Sequence, residues 1–330
     1  MDKDGAELVG SGGLRVDPAR AFAVLRGSQL PHGFWRPLLW LRLAAAAGAR
    51  EVRLRKADYR LLLEFDGEPL AHELLKEPFG VLAAGTDSPA ARWLAWALVH
   101  TLRDRLTVTV SSGRGEGRRA WTYAEGGAAE PAEPAAGELT VVDVGWRLRT
   151  QLLSDSGGAP WFWFARDSRP RAGGRRELCD GVPYRLSLPE WDVLPWELRR
   201  EPETRVRRDG ARRVRTALTE EPPRLRLWHW GVLVHEEPLE GGDLPVRVDL
   251  DDPALTLDAS LAAPVRDAAF EAARADGRRL AGEFLGERLE RHARSMERVG
   301  RLLGAHPWLR LAWGWTVRAR HRRRRRRRPG

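Results

Sequence analysis

From Trp35 to Ala49 the chain reads Trp-Arg-Pro-Leu-Leu-Trp-Leu-Arg-Leu-Ala-Ala-Ala-Ala-Gly-Ala, apolar on nearly every face of the helix it would form. Such a helix cannot lie on a surface. It has to be covered all round, so the rest of the fold must be layered about it. Ala90–Leu102 is a second strongly apolar helical run. Between them Val52 and Leu54 alternate with arginines in Glu51–Arg55, Tyr59–Phe65 is another β-like run, and Asp66-Gly67 closes the pair as a turn. Leu70–Phe79 predicts one more helical segment, and Leu106–Val110 and Leu139–Val144 read as strands. Upstream, Asp17-Pro18 looks like an N-cap with proline at the first position of a short amphipathic helix. The order predicts a mixed sheet with helices layered on one side, an α+β, two-layer sandwich arrangement.

The 330 residues leave room for a second domain. Gly113–Gly137, rich in Gly, Ala, Glu and Pro, is expected to be a surface loop with a short strand at Ala120–Tyr123. After Val144 comes a run of short strands and turns to about Leu257, then a long helix from about Asp267 to Leu303 whose arginines and glutamates interleave. The expected division is residues 1–148, residues 149–304 and a tail, 305–330.

The single cysteine, Cys179, excludes an internal disulfide framework and a cysteine-based zinc cluster. His229 and His235 are not spaced with nearby carboxylates like a metal site, and no metal is expected. No Gly-x-Ser-x-Gly elbow occurs, and Ser11-Gly12-Gly13 lacks the lysine of a phosphate-binding loop. No secretory leader or spanning run stands out, so the expectation is a soluble, bacterial-type cytoplasmic protein. Formal net charge is +10, but nine arginines lie in Arg318–Gly330, which leaves the body nearly neutral. The basic balance is therefore a poor argument for nucleic acid binding by the body.

Several runs, in order, carry a family resemblance. Leu38–Ala49 resembles the first motif helix of the GHKL (Bergerat-type) ATPases, Phe65-Asp66-Gly67-Glu68-Pro69-Leu70 their Asp-x-Gly-x-Gly box, and Pro78–Thr86 the stretch before their lid. Trp228–Val234 and Val248–Leu261 are similar to the middle domain of the heat shock protein 90 chaperones. The resemblance covers roughly residues 18–300. It implies a GHKL ATPase-like domain followed by a middle-domain-like (ribosomal S5 domain 2-like) α/β domain.

It also implies where nucleotide chemistry would sit, and those positions are altered. The water-orienting glutamate of the family corresponds to Leu41, the magnesium-binding asparagine to Ala45, and the adenine-binding aspartate to Phe65. Asp66, beside Gly67, restores that aspartate if the register slips by one. The lid glycines fall on residues 90–95, including Trp93, and the arginine that would reach the γ-phosphate falls on Leu261. The resemblance therefore implies a chaperone-like protein without ATPase activity or cofactor, binding a protein partner or client. The alternative is a divergent chaperone that still binds ATP and magnesium weakly.

Fifteen tryptophans include the close pairs Trp161/Trp163, Trp191/Trp196 and Trp228/Trp230, which read as core packing or as a partner surface. Near the end, Pro307–Val317 is rich in tryptophan and leucine and leads into Arg322, Arg323, Arg324, Arg325, Arg326, Arg327 and Arg328. That combination fits peripheral attachment to an anionic membrane surface, or single-stranded nucleic acid. The plain alternative is a solvated tail whose tryptophans pack back on the body.

Overall fold

The computed structural model describes residues 35–57, 60–102, 106–124, 127, 129–146, 178–188, 192–199, 203–219, 221–239 and 246–305. The expected helix after Asp17-Pro18, Trp161, Trp163, Trp191, and residues 307–317 and 322–328 lie outside them.

The apolar run forms helix α1 (Trp35–Ala46), and Leu38, Leu39, Trp40, Leu41, Leu43 and Ala44 are all buried. It stops at Gly48, whose φ of 72° is left-handed, and the amides of Gly48 and Ala49 close on the carbonyls of Ala45 and Ala44. Strands β1 (Glu51–Ala57) and β2 (Arg60–Phe65) follow as an antiparallel pair, with Val52 opposite Phe65 and Leu54 opposite Leu63. Leu61, Leu63 and Phe65 are buried while Leu62 and Glu64 are only partly so, a period of two that the run Leu61-Leu62-Leu63 does not show in its composition. Asp66 comes after the hairpin. Its Oδ1 accepts from the amides of Arg50 and Glu51, both at 2.7 Å, tying the end of β2 to the start of β1.

The helix expected over Leu70–Phe79 is present only as α2 (His72–Lys76), and a second short helix, α3 (Gly80–Ala84), follows it. Pro78 is the reason: it lacks an amide hydrogen and drives the preceding Glu77 out of helical geometry, to φ −132° and ψ 61°. Helix α4 (Pro89–Thr101) is capped by Ser88, whose Oγ accepts from Ala91 N at 3.3 Å. It packs along α1, and the Trp40 indole donates to Thr101 Oγ1 at 3.0 Å between them.

Strands β3 (Leu106–Ser112), β4 (Arg119–Tyr123), β5 (Ala129–Ala132) and β6 (Thr140–Trp146) complete most of an eight-stranded sheet of order β5-β4-β3-β6-β2-β1-β7-β8. The Gly113–Gly137 stretch is thus more ordered than a loop. Pro131 and its neighbours form β5, at the sheet's edge, where a residue without an amide hydrogen is tolerated. Strands β7 (Arg185–Ser187) and β8 (Asp192–Val193) add to the other side, β7 running parallel to β1. The first sheet therefore draws on residues either side of position 148.

The second sheet is five-stranded: β9 (Thr204–Asp209), β10 (Arg212–Leu218), β11 (Arg224–His229), β12 (Val232–Pro238) and β13 (Val246–Asp251), in the order β12-β11-β13-β10-β9. One face lies under α5 (Ala268–Ala305), where Phe270, Ala273, Leu280, Ala281 and Phe284 meet Leu225, Leu227, Val246, Val248 and Leu250. Gly277 lets the helix come close, since a Cβ there would stand 2.6 Å from Leu225. Among the described residues the fold is thus α+β with two sheets.

The second sheet's other face is buried too, and it is charged. Arg213 stands opposite Asp251 and Arg215 opposite Asp249 across β10 and β13. Arg213 Nη2 pairs with Asp251 Oδ2, and Arg215 Nε meets Asp249 Oδ2 at 2.8 Å. The segment 178–199 covers them. Arg213 donates to the carbonyl of Gly181, Arg215 reaches Asp180 at 3.1 Å, and the Trp196 ring lies 5.0 and 5.1 Å from the two guanidinium carbons. Burial pushes the Asp251 carboxyl above its usual range, against the pull of Arg213.

Removing one partner of such a pair leaves the other as an uncompensated buried charge. Asp251→Ala is expected to lower the unfolding free energy by about 3–5 kcal/mol in urea titrations. Arg205→Ala, which breaks an exposed pair with Glu287, is expected to cost at most about 1 kcal/mol.

Candidate functional site

Helix α1 carries the ionic side chain of Arg42 into the core, and its surroundings define the site. The guanidinium is completely buried. Its Nη1 donates to the carbonyl of Leu261 at 2.8 Å and its Nε to that of His229 at 3.3 Å, while its carbon lies 4.9 Å from the centroid of the Trp93 ring. Its Nη2 has no partner among the described residues. Burial drags the group's pKa down to about 9, with Asp251 opposing, so at neutral pH it stays charged. Arg42 thereby joins α1 to both the β11–β12 turn and the segment before α5. The hydroxyl of Tyr184, donating to the Leu41 carbonyl at 2.8 Å, adds a second link at the same helix.

Over this junction opens a cleft of about 600 Å³ between α4 and residues 253–261. Trp93, Trp96, His229, Trp230 and Leu261 are among its walls, with Arg92 at its side. His229 lies edge-on to Trp93 at 5.5 Å and to Trp230 at 6.5 Å. Burial first, then the charges of Arg42 and Arg92, hold its imidazole well below the ordinary pKa, although a hydrogen bond to the Pro253 backbone partly offsets them. Its Nδ1 has no partner among the described residues. The imidazole is therefore neutral at physiological pH, and the positive charge around it comes from arginines.

The positions assigned by resemblance to nucleotide chemistry do not form one pocket. Leu41, Ala45, Phe65, Trp93 and Leu261 all belong to a single hydrophobic cluster, each at most 7% exposed. Asp66 and Gly67 stand apart, at the C-terminal end of α1, beside an open depression of about 880 Å³ that includes Arg50, Glu68 and Arg114. Gly67 is required there: its φ is 132°, and a Cβ would meet the Ala47 carbonyl oxygen at 2.6 Å. Both Asp66 contacts with main-chain amides use the same oxygen.

Sequence reasoning passed over Arg42 and the cleft role of His229 and Trp230. A signal existed for the first: an arginine inside a helix apolar on every other side must be buried with partners. Among the described residues no cluster of three histidine, cysteine or acidic side chains is placed to hold a metal, and no helix is long and apolar enough to cross a membrane. No protein-family model matches the chain, and no curated protein matches it.

The depressed pKa of His229 has a consequence for stability. The unfolded imidazole takes up a proton near pH 6.5 and the folded one does not, so more protons are bound in the unfolded state below that pH. Stability is then fully present above about pH 6.5 and falls with acidification, by up to about 1.4 kcal/mol per pH unit for this one group. Urea unfolding at pH 7.5 and pH 5 is expected to show a smaller loss in His229→Gln than in the unaltered protein.

Proposed function

We propose that this chain is a non-catalytic relative of the heat shock protein 90 chaperones, a GHKL-like unit with a middle-domain-like unit, that works through contacts with a protein partner or client. The observation that carries the reading is the packing of Leu41, Ala45, Phe65 and Trp93 into one apolar cluster, where the resemblance would put a base, a metal ligand, an adenine contact and a lid. A magnesium-nucleotide brings several charges, and close-packed leucine, alanine and phenylalanine offer it no hydrogen bonds and no water. Turnover needs a positioned base and a metal ligand, and neither residue type stands at Leu41 or Ala45.

One observation favours a second reading, a divergent chaperone that binds ATP weakly. Asp66 and Gly67 border the open depression together with Arg50 and Arg114, which could receive phosphate. Against it, Asp66 Oδ1 is already tied to the amides of Arg50 and Glu51, which fixes the carboxylate as a link between the ends of β1 and β2 and leaves only its second oxygen for an adenine amino group.

Calorimetric titration with magnesium-ATP separates the two: no saturable heat is expected up to millimolar nucleotide, and micromolar binding would overturn the proposal. A mutation tests the closed packing independently. Leu41→Glu puts a carboxylate at a site 1% exposed and is expected to lower the unfolding free energy by about 3 kcal/mol or more. A variant of undiminished stability would mean that the position faces an open cavity.

A further inference from the structure

We propose that the cleft between α4 and residues 253–261 binds a small planar aromatic anion, seated against Trp96 and Trp230 and held by the positive charge of Arg42 and Arg92. The proposal does not rest on the chaperone reading, and neither of its experiments reports on ATP.

Three independent features meet at this place. The first is shape and lining. A volume of about 600 Å³, walled by indole rings and leucines with a few polar groups, falls in the range of small-molecule sites. The aromatic walls favour a flat ligand, because offset or edge-to-face ring contacts add to simple burial.

The second is backbone strain. Among the described residues three that are not glycine have positive φ, and two of them, Trp230 at 52° and Leu261 at 56°, line this cleft. Trp230 and Gly231 (φ 78°) make the two-residue turn joining β11 to β12, a turn that prefers Asn-Gly. A bulky residue in left-handed geometry is costly, and strain of this kind gathers at ligand sites. Here it aims an indole at the cleft.

The third is charge without a counter-ion. Arg42 is bonded to two carbonyls rather than a carboxylate, and the acid nearest in influence, Asp251, is already paired with Arg213. Arg92 donates to the Thr86 carbonyl and makes no ion pair of its own among the described residues. The one acid on the wall, Asp258, accepts from the amide and hydroxyl of Ser260. Arg42 Nη2 and His229 Nδ1, both buried, have no partner among the described residues. Both arginine charges are felt at His229, so the wall itself lies in a positive field. An anion satisfies that field where a neutral ring does not.

The test uses the full chain and two dyes of nearly the same shape: 1-anilinonaphthalene-8-sulfonate, and its neutral counterpart N-phenyl-1-naphthylamine. Fluorescence titration is expected to show saturable binding of the sulfonate, several-fold tighter than the neutral dye and weakened by added salt. Arg92→Gln is expected to weaken the sulfonate several-fold and leave the neutral dye unchanged. Trp230→Asn suits the turn, and is expected to weaken both dyes by about tenfold, a loss of about 1.4 kcal/mol, without unfolding the protein. If that variant does unfold, Arg92→Gln decides alone, since its side chain is exposed. Equal affinity for the two dyes, absence of saturable binding, or sulfonate binding indifferent to Arg92→Gln would each overturn the proposal.

Discussion

Arg213 faces Asp251 and Arg215 faces Asp249 across two neighbouring strands, and the placing of both sheets follows from those two pairs. Burying four charged groups costs several kcal/mol each before pairing. The cost is offset by further bonds: Gly231 N donates to Asp251 at 3.1 Å, and Asp180 receives both Arg215 and Arg199. Those partners come largely from the segment 178–199. The same segment supplies β7, which runs parallel to β1 in the other sheet. A slip of one residue in β10 would send both arginines into the apolar face beneath α5. The register is therefore held from both sides at once, by charge on one face and by leucine, valine and phenylalanine on the other.

Arg42 is the counterpart in the first unit, and it is resolved differently. It has no carboxylate of its own, only carbonyls and the ring of Trp93. A cation held in this way leaves its charge available to its surroundings. Two buried polar atoms without a partner among the described residues, Arg42 Nη2 and His229 Nδ1, accordingly sit at the cleft, whose walls also include Trp93 and Leu261. Leu41 and Ala45, on the same helix, are absorbed into the core. One helix thus carries closed packing beside an uncompensated charge.

Much of the fold was legible in the sequence because its strongest patterns are local. The apolar α1 and α4, the alternation along β1 and β3, and the long α5 lie close to where periodicity placed them, since each depends on neighbours within a few residues. The helix cut short before Pro78 and the edge strand containing Pro131 were harder. In one, proline chemistry competed with an apolar pattern. In the other, a composition typical of loops sits in a strand that needs hydrogen bonds on only one side. The site was least legible. Leu41, Ala45, Phe65, Trp93 and Leu261 do converge on one cluster, but Asp66 lies elsewhere; Arg42 drew notice only as a member of a run, His229 only as a poor metal ligand, and Trp230 only as half of a tryptophan pair.

What the sequence by itself determined is therefore the set of elements, and the demand of α1 to be buried on every side. That demand needs only side-chain period and polarity. Only the tertiary structure decided which charges meet: Arg213 with Asp251 from 38 residues away, and Arg42 with the carbonyl of Leu261 from 219 residues away. Pairings across such distances depend on strand register and on how the two sheets are joined. An arginine's pattern within its own helix or strand says that it is buried, but carries no record of its partner.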